Sequence, residues 1–107
     1  MKILQRKTFN TGRGYTAEGQ IIHTWLVDID GIGRLLYFMD VSRHVYGTYK
    51  FNNDSIQTVT EGTIMTIYDK NLHDSGVTKE NGERFYDHEL QDMLINAGET
   101  SKEVKGW

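Results

Sequence analysis

Between Gln20 and Val41 the apolar residues of the chain recur at every second position. In GQIIHTWLVDID one face of an extended strand carries Ile21, His23, Trp25, Val27 and Ile29, and the other carries Ile22, Thr24, Leu26 and Asp28. Period two is the signature of a β-strand. The turn signal DGIG follows, and then a second β-rich run, RLLYFMDV, at residues 34–41. Together they predict a hairpin. A two-residue loop at Gly31-Ile32 and a four-residue loop at 30–33 imply the same register. In it Val27 faces Leu36, Trp25 faces Phe38 and His23 faces Asp40, while Leu26–Tyr37 and Ile22–Val41 pair on the other surface. Both surfaces are largely apolar, so the hairpin is expected at the centre of a sheet with both faces covered. A three-residue loop would break these pairings, because a slip of one residue turns every side chain over.

The same period extends outward. HVYGTYKF, residues 44–51, predicts a third strand, and IQTVT-EG-TIMTIYD predicts a further hairpin over 56–60 and 63–69. Upstream, KILQRKTF and GYTAEGQ form a weaker and more polar pair. After the loop 70–82 the period changes. Tyr86, Leu90, Met93, Leu94 and Ala97 fall at i, i+4, i+7, i+8 and i+11 and make one helical face over 83–97. Acidic residues favour its first turn and Gly98 stops it. The expected architecture is α+β: about six mostly antiparallel strands in a curved sheet or small barrel over residues 2–69, then one C-terminal amphipathic helix. Residues 1–98 are expected to form one domain, with 99–107 as a polar tail.

The chain has 107 residues, of which 37% are hydrophobic and 11% aromatic, enough to fill one small core. It has no cysteine, which excludes disulfides, Cys-ligated zinc or iron–sulfur centres and thiol nucleophiles. No apolar run is long enough to span a membrane, and MKILQRKTFN is too short and polar for a signal peptide. The expectation is a soluble cytoplasmic protein. The net charge of -3 is unevenly spread. Residues 1–17 hold Lys2, Arg6, Lys7 and Arg13 and no acid, whereas all 15 acidic side chains follow. A basic edge strand guarded against aggregation explains this, and so does a contact surface for an anionic partner.

Candidate chemistry is sparse. In TGRGYTAEG the glycines at 12, 14 and 19 lack dinucleotide-fingerprint spacing, no Gly-Lys-Ser/Thr follows, and the β pattern beyond offers no helix N-terminus for phosphate. DIDGIG begins like a calcium loop, but Ile32, Gly33 and Met39 stand at its fifth, sixth and twelfth positions. His23, His44, His73 and His88 show no helical zinc spacing. His23 opposite Asp40 is the one candidate acid–base pair, and a structural cross-strand pair explains it equally well. His73-Asp74-Ser75 are neighbours in a turn, not a triad. No cofactor is expected, and the balance leans away from an enzyme.

Two binding readings remain. In the first the chain is a protein-binding module, an accessory or inhibitory protein that occludes a partner surface. Arg43, Tyr46, Tyr49 and Trp107 are its interface candidates, being types enriched at interface hot spots. In the second, a small barrel binds single-stranded nucleic acid, with Lys2, Arg6, Lys7 and Arg13 on phosphate and Phe9 and Tyr15 stacked on bases. An exposed sheet edge also makes a homodimer as expected as a monomer.

Overall fold

A computed structural model of the chain describes residues 1–12, 20–40, 45–73, 78–79 and 81–97. Its sheet is open, with strands β1 (Lys2–Asn10), β2 (Ile21–Ile29), β3 (Gly33–Asp40) and β4 (Val45–Lys50). They lie in sequence order and pair antiparallel throughout. Two helices follow, α1 (Glu61–Asp69) and α2 (Asp87–Asn96). The α+β class is as expected, but the strands among the described residues number four, and there are two helices. Neither helix is long and apolar enough to cross a membrane.

The central hairpin forms, and its register differs from the expected one by a single residue. Val27 pairs with Leu35, Leu26 with Leu36, Trp25 with Tyr37, His23 with Met39 and Ile22 with Asp40. The cause is the loop. Ile29 pairs with Gly33, which leaves the three residues Asp30, Gly31 and Ile32 between the strands. Ile32 N–H donates to the Ile29 carbonyl at 3.0 Å, and Gly31 has φ 81°, the type II turn geometry that needs glycine at its third position.

The slip leaves both faces apolar, and both are covered as anticipated. On one face Trp25, Val27, Ile29, Leu35, Tyr37 and Met39 pack against Leu90 and Leu94 of α2. On the other, Ile22, Leu26, Leu36, Phe38 and Phe9 pack against Ile64 and Ile67 of α1. At about 25 cal/mol per Å² of buried apolar area, these two layers supply most of the stabilisation.

Three further expectations are corrected. The hairpin over 56–60 and 63–69 is instead an irregular lead-in followed by α1. Thr60 caps that helix, its hydroxyl accepting from Thr63 N–H at 3.2 Å, and Ile64 and Ile67 lie three apart on its buried face. Tertiary burial and the cap outweigh the β-propensity of the Thr and Ile residues. β1 pairs directly with β2, from Lys2 opposite Asp28 to Asn10 opposite Ile21, with no intervening strand among the described residues. Of GYTAEGQ, only Gln20 is described, and its carbonyl receives Thr11 N–H at 2.9 Å. Finally, α2 begins at Asp87 rather than 83, with Arg84 held instead in an antiparallel bridge to Thr78. Tyr86, expected on the buried face, is 68% exposed at the helix N-cap.

Candidate functional site

The slipped register separates the one acid–base pair that the sequence offered. Asp40 lies opposite Ile22, and His23 lies opposite Met39. His23 is buried, with Nδ1 3.0 Å from Thr8 Oγ1 and its ring 6.2 Å from that of Trp25. It is a core histidine held across β1 and β2. Among the described residues no group of three or more His, Asp or Glu is placed to hold a metal ion.

The basic residues of β1 do not share one surface. Arg6 pairs with Trp25 and lays its guanidinium 5.4 Å from that ring, on the α2 face. Lys7 is the next residue in the strand and so faces the other side, opposite Thr24, whose hydroxyl donates to the Lys7 carbonyl at 2.9 Å. Lys2 is exposed at the strand start. Phe9 is 3% exposed, packed edge-to-face on Tyr68 at 6.4 Å, so its ring is part of the core and is not presented for base stacking. Arg13 and Tyr15 lie outside the described residues. The edge itself is blunted. Leu4 falls at an irregularity in the β1–β2 register, and the Gln5 amide clamps the Val59 backbone, donating to its carbonyl at 3.0 Å and accepting its N–H at 2.6 Å. Charges, a bulge and a covering segment are the usual guards of a sheet edge.

Of the protein-interface candidates, Arg43 and Trp107 lie outside the described residues. Tyr46 lies in β4 at the point where the register skips, with Gly47 opposite Phe38 and Val45 opposite Met39. Tyr49 stands at the rim of a groove of about 550 Å³ between β4 and α1. Its ring meets Phe51 edge-on at 4.9 Å. The far wall is the threonine-bearing side of α1, with Thr60, Thr63 and Thr66, and the end is closed by Leu72, which is 44% exposed. No charged side chain lines the groove among the described residues.

The way α1 ends builds this wall. Asn71 adopts φ 56°, Leu72 N–H donates to the Ile67 carbonyl at 3.0 Å, and Asn71 N–H donates to that of Tyr68 at 3.1 Å. This is a Schellman closure with Asn in the left-handed position usually taken by glycine. It turns the chain back onto β4, where the His73 carbonyl accepts Thr48 N–H at 2.7 Å. The His73 ring stacks on Tyr68 at 5.9 Å and 15° and lies 5.4 Å from Phe38. Tyr68 in turn donates to Gln20 Oε1 at 2.6 Å.

A second cleft, of about 710 Å³, opens at the tip of the β2–β3 hairpin, where Ile29, Asp30, Gly31 and Ile32 face Thr78, Lys79 and Asn81. Its Lys79 ammonium lies 2.7 Å from Glu89 Oε2 and 5.6 Å from the centre of the Phe85 ring. Hydrogen bonding to Glu89 raises the Lys79 pKa, and the same bond, reinforced by Tyr86 N–H, lowers that of Glu89. Neither opening was anticipated as a site. Leu72, a lone apolar residue in the polar run KNLHDSG, was the available signal for the first, and the turn-forming Asn81-Gly82 for the second. No protein-family model, curated protein or solved structure matches the chain.

Proposed function

We propose that the chain is a non-enzymatic protein-binding module whose Tyr49–Leu72 groove receives an apolar anchor from a partner protein, so that binding occludes the partner's surface. The observation that carries this reading is the groove's lining: aromatic and aliphatic side chains, a row of hydroxyls, and no charge among the described residues. Interface centres are depleted of charge and enriched in aromatics, and their anchors are desolvated in small pockets. The hydroxyls suit a wet or dry contact, because their local bonds are already made: Thr66 donates to the Gly62 carbonyl at 2.9 Å and Thr60 meets Thr63 at 3.1 Å. Among the described lining residues no carboxylate, imidazole or amine stands beside the threonine hydroxyls to activate them. Leu72 projects at its end, ready to be covered.

The test is affinity capture by the immobilised protein from cell lysate, with and without nuclease, comparing the wild type with Leu72→Asp and Tyr49→Ala. The expected result is a stoichiometric protein partner that survives nuclease and whose capture falls at least tenfold in both variants, while their circular dichroism is unchanged. Equal capture by wild type and variants, or none by the wild type, overturns the reading. Loss of all captured material on nuclease treatment moves the assignment to nucleic acid and to Lys2, Arg6 and Lys7 of β1.

A further inference from the structure

The cleft at the hairpin tip has a different chemistry from the groove. Its floor is apolar: Ile29 belongs to the α2-side core, and Ile32, Phe85 and Met93 are partly buried against that core. One wall is the three-residue loop. The other is a turn rigidified by Lys79 N–H to the Glu83 carbonyl at 2.7 Å, Gly82 N–H to the Lys79 carbonyl at 3.0 Å and Glu83 N–H to Asn81 Oδ1 at 3.0 Å. The cleft is therefore pre-formed, and its volume lies within the range that holds small molecules.

Charge decides what fits. Lys79 is matched by Glu89, and beside the loop Arg34 is matched by Asp28 at 2.7 Å. Asp30 is exposed at the mouth and makes no ion pair among the described residues. The cleft thus presents one uncompensated carboxylate above a floor of apolar and aromatic side chains. Its own wall already seats an ammonium against an aromatic face and a carboxylate, through Lys79 on Phe85 and Glu89.

We propose that this cleft binds a small organic cation, a primary ammonium joined to an aromatic or branched apolar body. The ammonium lies on Asp30 and the body on the floor formed by Ile29, Ile32, Phe85 and Met93. An anion of the same shape meets Asp30 with no free cation among the described lining residues to offset it, because Glu89 occupies Lys79. The site is separate from the Tyr49–Leu72 groove, so the two readings stand or fall independently.

The test uses the full chain labelled with nitrogen-15 and three probes of similar size: 2-phenylethylamine, 2-phenylethanol and 3-phenylpropionate. Saturable amide shifts are expected with the amine at residues 29–32, 78–79, 81–85 and 93. The alcohol binds more weakly, and the carboxylate at least tenfold more weakly. Asp30→Asn is expected to weaken amine binding roughly three- to fivefold, the scale of one exposed ion pair, and to remove its dependence on salt. Asp54→Asn, a neighbouring acid outside this cleft's lining, leaves binding within about twofold on the same scale. The proposal is overturned if the carboxylate shifts the same amides as strongly as the amine. It is equally overturned if Asp30→Asn binds the amine like the wild type, or if no probe gives saturable shifts at the cleft.

Discussion

Alanine at position 47 probes the contact that seats the end of α1 on the sheet. A methyl group there would lie 2.5 Å from the His73 carbonyl oxygen, 2.6 Å from its Cδ2 and 3.0 Å from its Cβ. The oxygen is not free to retreat, because it accepts Thr48 N–H at 2.7 Å. The ring is held on Tyr68 and against Phe38. Relief requires either β4 to shift from β3 or the 72–73 segment to lift, losing the hydrogen bond and part of the ring stack. Overpacking of this kind costs about 1–3 kcal/mol, and the lost bond about 1 kcal/mol within that range. Against it, replacing glycine restricts the unfolded chain and returns about 0.4–1 kcal/mol. The net expectation is a loss of up to about 2.6 kcal/mol, centred on about 1.3 kcal/mol, read as a lower urea midpoint at unchanged slope, or as a fall in Tm of roughly 4–8 °C per kcal/mol. The same substitution in a His73→Ala background loses the clash with Cδ2 but keeps that with the carbonyl, so its penalty shrinks without vanishing. A Gly47→Ala protein more stable than the wild type would refute this account of how α1 docks.

Tyr37 and the Lys79–Glu89 pair yield two further expectations. The Tyr37 hydroxyl is buried with no hydrogen-bond partner among the described residues, and burial pushes its pKa up; Tyr37→Phe is therefore expected to be neutral or stabilising by up to about 1 kcal/mol in urea unfolding, and a loss above about 1 kcal/mol would show that the hydroxyl is bonded. Glu89 is held below its ordinary 4.5 by the Lys79 ammonium and then by Tyr86 N–H, so its contribution to stability is complete above that value and is lost as pH falls through the lowered one. Lys79 is held above 10.5 by the same bond, so its share is complete below 10.5 and is lost as pH rises through the raised value. Glu89→Gln flattens both limbs of a stability–pH curve relative to the wild type, and parallel curves would contradict the pairing.

The hairpin was legible in the sequence, yet its register was not. Alternation alone fixes which residues share a strand face, but the pairing depends on the loop, and DGIG accommodates two, three or four residues. What selects three is glycine at 31, in a positive-φ position that closes the Ile29–Ile32 bond. Because both faces are apolar, a slip of one residue carries little penalty in burial, so the pattern could not have warned of it. The consequence for function was large, since the acid–base reading of His23 rested entirely on facing Asp40. TIMTIYD failed for the complementary reason. Its Thr and Ile residues favour strand, while Thr60 as a cap and Ile64, Ile67 and Tyr68 at i, i+3 and i+4 favour helix, and only the apolar sheet face beneath them decides. Among the candidate residues, Tyr49 could be named from the sequence as an aromatic of a type enriched at interface hot spots. Leu72 and the cleft were not, because their positions depend on Asn71 taking a left-handed conformation and on Arg84 pairing back with Thr78.

Both openings lie where a helix only partly covers a sheet face, and their contrasting chemistry follows from what each helix leaves beside it. α1 buries Ile64 and Ile67 and turns Thr63 and Thr66 toward β4, with hydroxyls bonded within the helix and its cap, so the seam it leaves has no charged side chain among the described residues. α2 buries Leu90 and Leu94 but uses Glu89, in its first turn, to hold Tyr86 N–H and Lys79 together. That arrangement ties Lys79 to the helix and fixes a charged wall opposite the hairpin loop. Loss of Glu89 therefore frees the Lys79 ammonium at the same moment as it unfastens the wall. In Glu89→Gln the cleft loses a negative charge, so the preference for an organic cation over an isosteric anion narrows even though Asp30 is untouched. The seam by α1 shares none of these groups, and its binding properties are independent of that substitution.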